Sequence, residues 1–256
     1  MQLVSNPILQ TYDPQAFQGI VLSFEIEKIL KETAKISEAN KLDNYEVIQH
    51  TIKEFEKRKS NAVEEAIISL CIARIYSEKD SLKQLEYLNK SEKGFRDLGL
   101  YRWECFTRLE KSYVYLKDYE KTKALEETQQ SSLRAVSKGD LLLEAYSTTM
   151  QVEILLTTKS WTEAEEPLRR ACKLWKSLEV EEMEGMCYLN LAFLYKSWGQ
   201  RVRFLLAWDA ATRILEPDYL ESIRQKIFKS QNLQIAIDFE SGLQELSFFR
   251  SKILLR

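Results

Sequence analysis

Apolar residues recur along most of this chain at the spacing of a helix face. Tyr188, Leu191, Ala192 and Tyr195 stand at i, i+3, i+4 and i+7, the positions that line up on one side of an α-helix. Trp198, Gly199 and Gln200 interrupt the stripe, and Phe204, Trp208 and Ala211 resume it on a second helix before Pro217. Earlier stripes follow the same rule: Ile20, Phe24, Ile29 and Leu30; Ile48, Ile52 and Phe55; Ala164, Leu168, Ala171 and Trp175. Pro167 falls inside the last of these and predicts a kink or restart between Glu165 and Leu168, because it removes a backbone donor and crowds the preceding turn. Asp13 followed by Pro14 reads as a helix start. Asp43 with Glu46, Asn61 with Glu64 and Ser160 with Glu163 have the spacing of capping boxes. Gly99, Gly139 and Gly199 mark breaks between helices, where a left-handed residue ends a helix at little cost.

The breaks recur in register. Tyr45, Leu82, Tyr119, Trp161 and Arg201 start the second helix of successive pairs, at intervals of 37, 37, 42 and 40 residues. Ile72, Ala73 and Tyr76 reproduce the spacing of Leu191, Ala192 and Tyr195, and Lys117, Asp118 and Tyr119 echo Lys159, Ser160 and Trp161. In the third pair Leu109, Glu110 and Tyr113 take the signature places, and in the fourth Gln151 and Val152 do. Small residues such as Ala192 let two helices cross closely.

This arrangement resembles the tetratricopeptide repeat, a helical hairpin with a bulky residue, a Leu, a small residue and a Tyr on its first helix. The intervals here exceed the usual repeat of about 34 residues. The resemblance implies an all-α fold, a right-handed α-solenoid of about five antiparallel hairpins over residues 14–216. An extended segment, 1–13, precedes it. Residues 217–256 are expected as C-terminal capping helices, since Leu243, Leu246, Phe249, Ile253 and Leu254 need cover.

Composition narrows the function. The chain has 256 residues, 45% hydrophobic and 30% charged, with 7 Gly and 4 Pro, which suits a helical protein with few tight turns. A net charge of -2 gives no electrostatic reason to expect nucleic acid. No uncharged run is long enough to span a bilayer, and Met1 to Pro14 lacks a secretory pattern; a cytoplasmic protein is expected. Cys71, Cys105, Cys172 and Cys187 form no CxxC pair, and Cys71 and Cys187 lie among apolar helical residues, where a thiol acts as a small hydrophobe. No Gly-rich phosphate loop or nucleophile elbow is present, and His50 stands alone. The acidic runs at Glu163, Glu165, Glu166 and at Glu179, Glu181, Glu182, Glu184 fit helix starts, where carboxylates meet the positive end of the dipole. Arg169, Arg170, Lys173 and Lys176 read as a solvated face opposite Leu168, Ala171 and Trp175. The expectation is a non-enzyme with no metal and no cofactor.

The resemblance further implies a concave face lined by first helices. Counted from the signature Tyr positions, that face holds Arg74, Thr107, Lys111, Tyr146, Thr149, Glu153, Met186, Leu189, Phe193 and Lys196. Family members that clamp chaperone tails use Lys and Asn at set places. Leu189 and Phe193 stand in those places here, which speaks against such a tail. A face basic at Arg74 and Lys111 and apolar at Leu189 and Phe193 suits a partner segment with an acidic and an apolar half. Packing of Leu189 and Phe193 under a C-terminal helix is the competing expectation. The expected function is an adaptor or scaffold that binds another protein or a peptide, with a peptide-sensing receptor or an adaptor similar to the helical SNAP proteins as alternatives.

Overall fold

A computed structural model describes residues 61–77 and 80–215, together with His50, Lys53 and Lys57. The expected first hairpin and the C-terminal capping helices lie outside the described residues. Among those described, the chain is eight helices with no strand. In order they are α1 (Ala62–Ile75), α2 (Ser81–Asp97), α3 (Tyr101–Lys117), α4 (Lys121–Lys138), α5 (Leu141–Thr157), α6 (Trp161–Ser177), α7 (Glu181–Ser197) and α8 (Arg201–Ile214). The chain divides between Gly139 and Asp140 into two compact units. Within the first, α1 packs on α2, α2 on α3 and α3 on α4; within the second, α5 packs on α6, α6 on α7 and α7 on α8. Helices packed in chain order as successive hairpins are an all-α solenoid, as the hydrophobic pattern predicts.

From α2 to α8 a helix begins every 20 residues. The hairpin period is therefore 40 residues among the described helices, which corrects the intervals of 37 and 42 residues read on either side of Tyr119; Tyr45 lies outside the described residues. The discrepancy arises at Tyr119, which lies two residues before α4 and has φ of 61°. Five other residues have the same left-handed backbone, namely Gly99, Gly139, Lys159, Glu179 and Gly199, so the turns recur at the same 20-residue step. At Gly99, Tyr119, Lys159, Glu179 and Gly199 the left-handed N–H and the one after it both donate back into the preceding helix, at 2.8–3.1 Å. This pair of bonds satisfies carbonyls that a helix end otherwise leaves open.

The 40-residue period orders the core. On the second helices buried positions recur as Gln84, Ala124, Ala164 and Phe204; Leu88, Thr128, Leu168 and Trp208; Ser91, Ser131, Ala171 and Ala211; Phe95, Ala135, Trp175 and, just past α8, Leu215. The third set is uniformly small. On the first helices Ser112, Val152 and Ala192 share a place and are all buried, as is Ala73 near the end of α1. Close crossing is most direct at Gly94, where a Cβ would stand 2.8 Å from Ala66 Cβ. The third hairpin therefore sets Lys111, Ser112 and Tyr115, rather than Leu109, Glu110 and Tyr113, at the signature places.

Two local expectations change. Asn61 and Glu64 do form a reciprocal capping box, but Ser160 makes no side-chain cap; the Glu163 N–H instead donates to the Ser160 carbonyl at 3.1 Å. Pro167 lies inside α6 without interrupting it. Ala164, Leu168, Ala171 and Trp175 are all buried on either side of it, and that continuous face holds the helix together across the missing backbone bond.

A network of charges is built into the first unit. Glu92 on α2, Lys111 on α3 and Glu127 on α4 meet, with Lys111 Nζ 2.8 Å from Glu92 Oε2 and 2.5 Å from Glu127 Oε1. Arg108 joins Glu92 at 2.6 Å and Glu127 at 2.8 Å. Arg96 pairs with Glu92, and its Nε lies 3.3 Å from Glu104 Oε1. Burial alone pulls the Lys111 ammonium down, but the bonds from Glu127 and Glu92 outweigh it and hold the group above its ordinary value. The core of the second unit holds several aromatic side chains. Trp175 donates to Thr149 Oγ1 at 2.9 Å and takes Tyr146 edge-on, and Trp208 is flanked by Phe193 and Phe204.

Candidate functional site: a groove between second helices

The residues expected on a shared first-helix face have separate fates. Arg74 donates to Glu110, with Nε at 2.8 Å from Oε1. Burial lowers the Arg74 value, yet Glu110 more than offsets it and keeps the guanidinium above its ordinary range. Lys111, 6% exposed, is consumed by its two carboxylates. Thr107 is buried and donates to the Trp103 carbonyl. Tyr146, Glu153 and Met186 are half-buried, and Lys196 lies over the Phe204 ring at 5.1 Å. Leu189 and Phe193 are interior, 0% and 4% exposed, with Phe193 edge-on to Trp208 at 5.7 Å between centroids. They are core residues of the second unit, and the competing expectation, cover by a C-terminal helix, lies outside the described residues. None of the ten residues expected on that face lines either of the cavities described here.

A different surface has the predicted character. In the second unit α6 and α8 flank a groove of about 310 Å³ floored by α7. Tyr188, Leu191 and Tyr195 come from the floor, Cys172 from α6, and Leu206 and Ala207 from α8. Arg169, Lys173 and Arg203 add three cations to the lining. Leu206 is 58% exposed, a large apolar side chain on the face of α8 turned away from Phe204 and Trp208. Val202, one turn earlier, is exposed as well.

One carboxylate organises this rim. Glu165 Oε1 accepts from the Tyr195 hydroxyl at 2.9 Å and from Arg169 Nε at 3.0 Å, and Arg203 Nη1 lies 3.8 Å away. Arg169 Nη2 also donates to the Tyr195 hydroxyl at 2.7 Å. The two guanidinium groups lie 5.9 and 5.7 Å from the Tyr195 ring centre, within the range of cation–π attraction. Burial, together with the bond to Glu165, pushes the Tyr195 phenol up and keeps it a donor at neutral pH. Arg169, Lys173 and Arg203 against Glu165 leave a surplus of positive charge over an apolar floor. Such a surface suits an apolar side chain with a carboxylate beside it.

The sequence reading placed Arg169 and Lys173 on a solvated face and passed over Arg203 and Leu206. The available signal was Val202 with Leu206, an i, i+4 apolar pair outside the buried stripe. It identifies one wall of the groove and says nothing of the other two.

Neither a family model nor a curated protein sequence matches the chain. Among solved structures, RapI in its apo form is similar over 96% of this chain and 71% of its own, with a TM-score of 0.65 and 14% identity. BtubC (BKLC) from P. vanneervenii is similar over 90% of this chain and 93% of its own, with a TM-score of 0.58 and 14% identity. At that identity the likeness is one of fold: these are helical repeat-type structures, as this chain is.

Proposed function

We propose that this chain is a non-enzymatic binding module that takes a peptide or a segment of a partner protein into the groove of α6, α7 and α8. The observation that carries the reading is the joining of exposed Leu206 and the apolar floor to Arg169, Lys173 and Arg203 in one groove. The preferred segment has a large apolar residue within a turn of an Asp or Glu: the apolar side chain enters against Leu191 and Ala207, and the carboxylate reaches the cationic rim. An adaptor or scaffold role follows from such a surface, because binding requires no group to change covalently.

Panning a random peptide library against the full chain tests this. Sequences combining apolar and acidic residues should be enriched, and their binding should fall by at least about tenfold, close to 1.4 kcal/mol, in Leu206→Glu and in Arg203→Glu. Both side chains are exposed, so the melting temperature should hold. Enrichment of basic peptides, or binding indifferent to both substitutions, overturns the assignment.

A receptor that responds to a short peptide is the alternative. The likeness to RapI over nearly the whole of this chain supports it to the extent that fold supports function. A free peptide of fewer than about ten residues that stabilises the full chain in proportion to its concentration would favour the receptor; a requirement for an intact partner protein would favour the adaptor.

A further inference from the structure

A second cavity, in the first unit, has a different chemistry. It occupies about 390 Å³ between α2, α3 and α4. Gln130, Leu133, Arg134 and Ser137 line it from α4, at i, i+3, i+4 and i+7, so a single helix face offers an amide, an apolar side chain, a cation and a hydroxyl. Arg96 from α2 and Glu104 and Arg108 from α3 complete it.

The surrounding charges do not balance. Arg96, Arg108 and Lys111 match Glu92, Glu104 and Glu127 one for one through the contacts already described. Arg134 is left over. Its nearest carboxylate atom, Glu104 Oε2, is 3.9 Å from Nε, beyond hydrogen-bond reach. That oxygen is itself buried without a hydrogen bond, so its negative charge holds Arg134 over the cavity without consuming the guanidinium's donors. Arg134 thus keeps its planar fork for an anion from outside.

We propose that this cavity is a socket for one carboxylate attached to an apolar group, delivered by a peptide. A single negative charge neutralises the network, whereas a phosphate dianion would overshoot it. Leu133, largely exposed, supplies the apolar contact beside Arg134. Gln130, one turn back, meets the N–H and C=O of the segment that bears the carboxylate. Two sources share this chemistry: the free C-terminus of a chain ending in an apolar residue, and an Asp or Glu side chain flanked by one. The socket does not rest on the groove of α6 to α8, and either can fail alone.

The test is a titration of the full chain, followed by NMR on the arginine side chains, with three probes. These are an acetylated tetrapeptide ending in a free leucine, its C-terminal amide, and an amidated peptide of the same length holding an internal Leu-Glu. Binding of the first with loss of about tenfold on amidation assigns the socket to chain ends. Equal binding of the third assigns it to side chains. In both cases Arg134 should respond, and Arg134→Gln and Gln130→Glu should each weaken by about tenfold or more the binding that moves the Arg96, Arg108 and Arg134 signals; occupancy of the α6 to α8 groove by the Leu-Glu probe moves Arg169 and Arg203 instead and is read apart from it. The Gln130→Glu variant keeps Arg134 in place and introduces repulsion, so it reads the socket even if Arg134→Gln perturbs folding. No response from Arg134, equal binding of the free acid and its amide with no response to the Glu probe, or inorganic phosphate binding more tightly than any peptide overturns the proposal.

Discussion

Phe193 and Lys111 show how single residues change meaning once neighbours are known. The register read from the sequence puts both on the partner-facing side of the repeat, yet both are buried, and the 40-residue period sets Lys111 at the signature Leu place instead. Phe193→Asp is accordingly expected to unfold the second unit rather than weaken a partner. Deleting the buried ring is by itself worth about 3–5 kcal/mol, and the buried carboxylate adds to it. Urea denaturation followed by circular dichroism measures this. Lys111→Met should cost less than the roughly 3–5 kcal/mol of a buried charge left with no partner, because Arg108 still joins both Glu92 and Glu127. The same ammonium sets an alkaline limit. Its folded value is raised above the ordinary 10.5 by those carboxylates, against the pull of burial. Its contribution is therefore complete below about pH 10.5 and is lost as pH climbs through the folded value. Denaturation midpoints of the wild-type chain should fall over that range, and those of Lys111→Met should fall less.

At the scale of the element, the helices were legible because their apolar stripes are long and regular, and three of the turns were legible because glycine marks them. The breaks near Tyr119 and Lys159 were legible from the echo of Lys117, Asp118 and Tyr119 in Lys159, Ser160 and Trp161, but the left-handed residues Tyr119, Lys159 and Glu179 were not. They occupy the same left-handed conformation without glycine's freedom, so nothing in their chemistry announces it. That conformation costs an ordinary residue about 1–2 kcal/mol, and Tyr119 is 95% exposed with little contact to lose. Tyr119→Gly and Glu179→Gly should each stabilise the chain, by up to about 1 kcal/mol after the added freedom of the unfolded state is subtracted. Gly199→Ala should cost about as much as either gains. No atom lies within 4 Å of the missing Cβ, so strain rather than collision sets that figure, and thermal melts of the three variants separate the signs. Pro167 taught the opposite lesson: a residue that ends most helices is tolerated where buried side chains on both sides keep the axis.

For the whole molecule, the class of fold was readable from periodicity, while the grooves were not. Each cavity draws its lining from three helices, so its residues are scattered from Arg169 to Ala207 in one case and from Arg96 to Ser137 in the other. No local pattern joins them until the helices pack. Lys173, on the open side of α6, gives the first groove a charge that responds to ionic strength. Peptide affinity for it should weaken as salt is raised from low levels and then level off, the remainder being the apolar contact, which salt does not screen. A peptide whose binding was unaffected by salt would place the contact elsewhere.

The 20-residue step leaves the chain little freedom to vary in length. One residue added in the middle of a helix rotates everything beyond it by about 100°, carrying small residues such as Ser131 away from their crossings and bringing charged ones in. An alanine inserted after Thr128 should therefore do far more damage than the same alanine inserted at a turn. Where this sequence has changed length in the course of its history, the joints between helices are where the added or missing residues will be found.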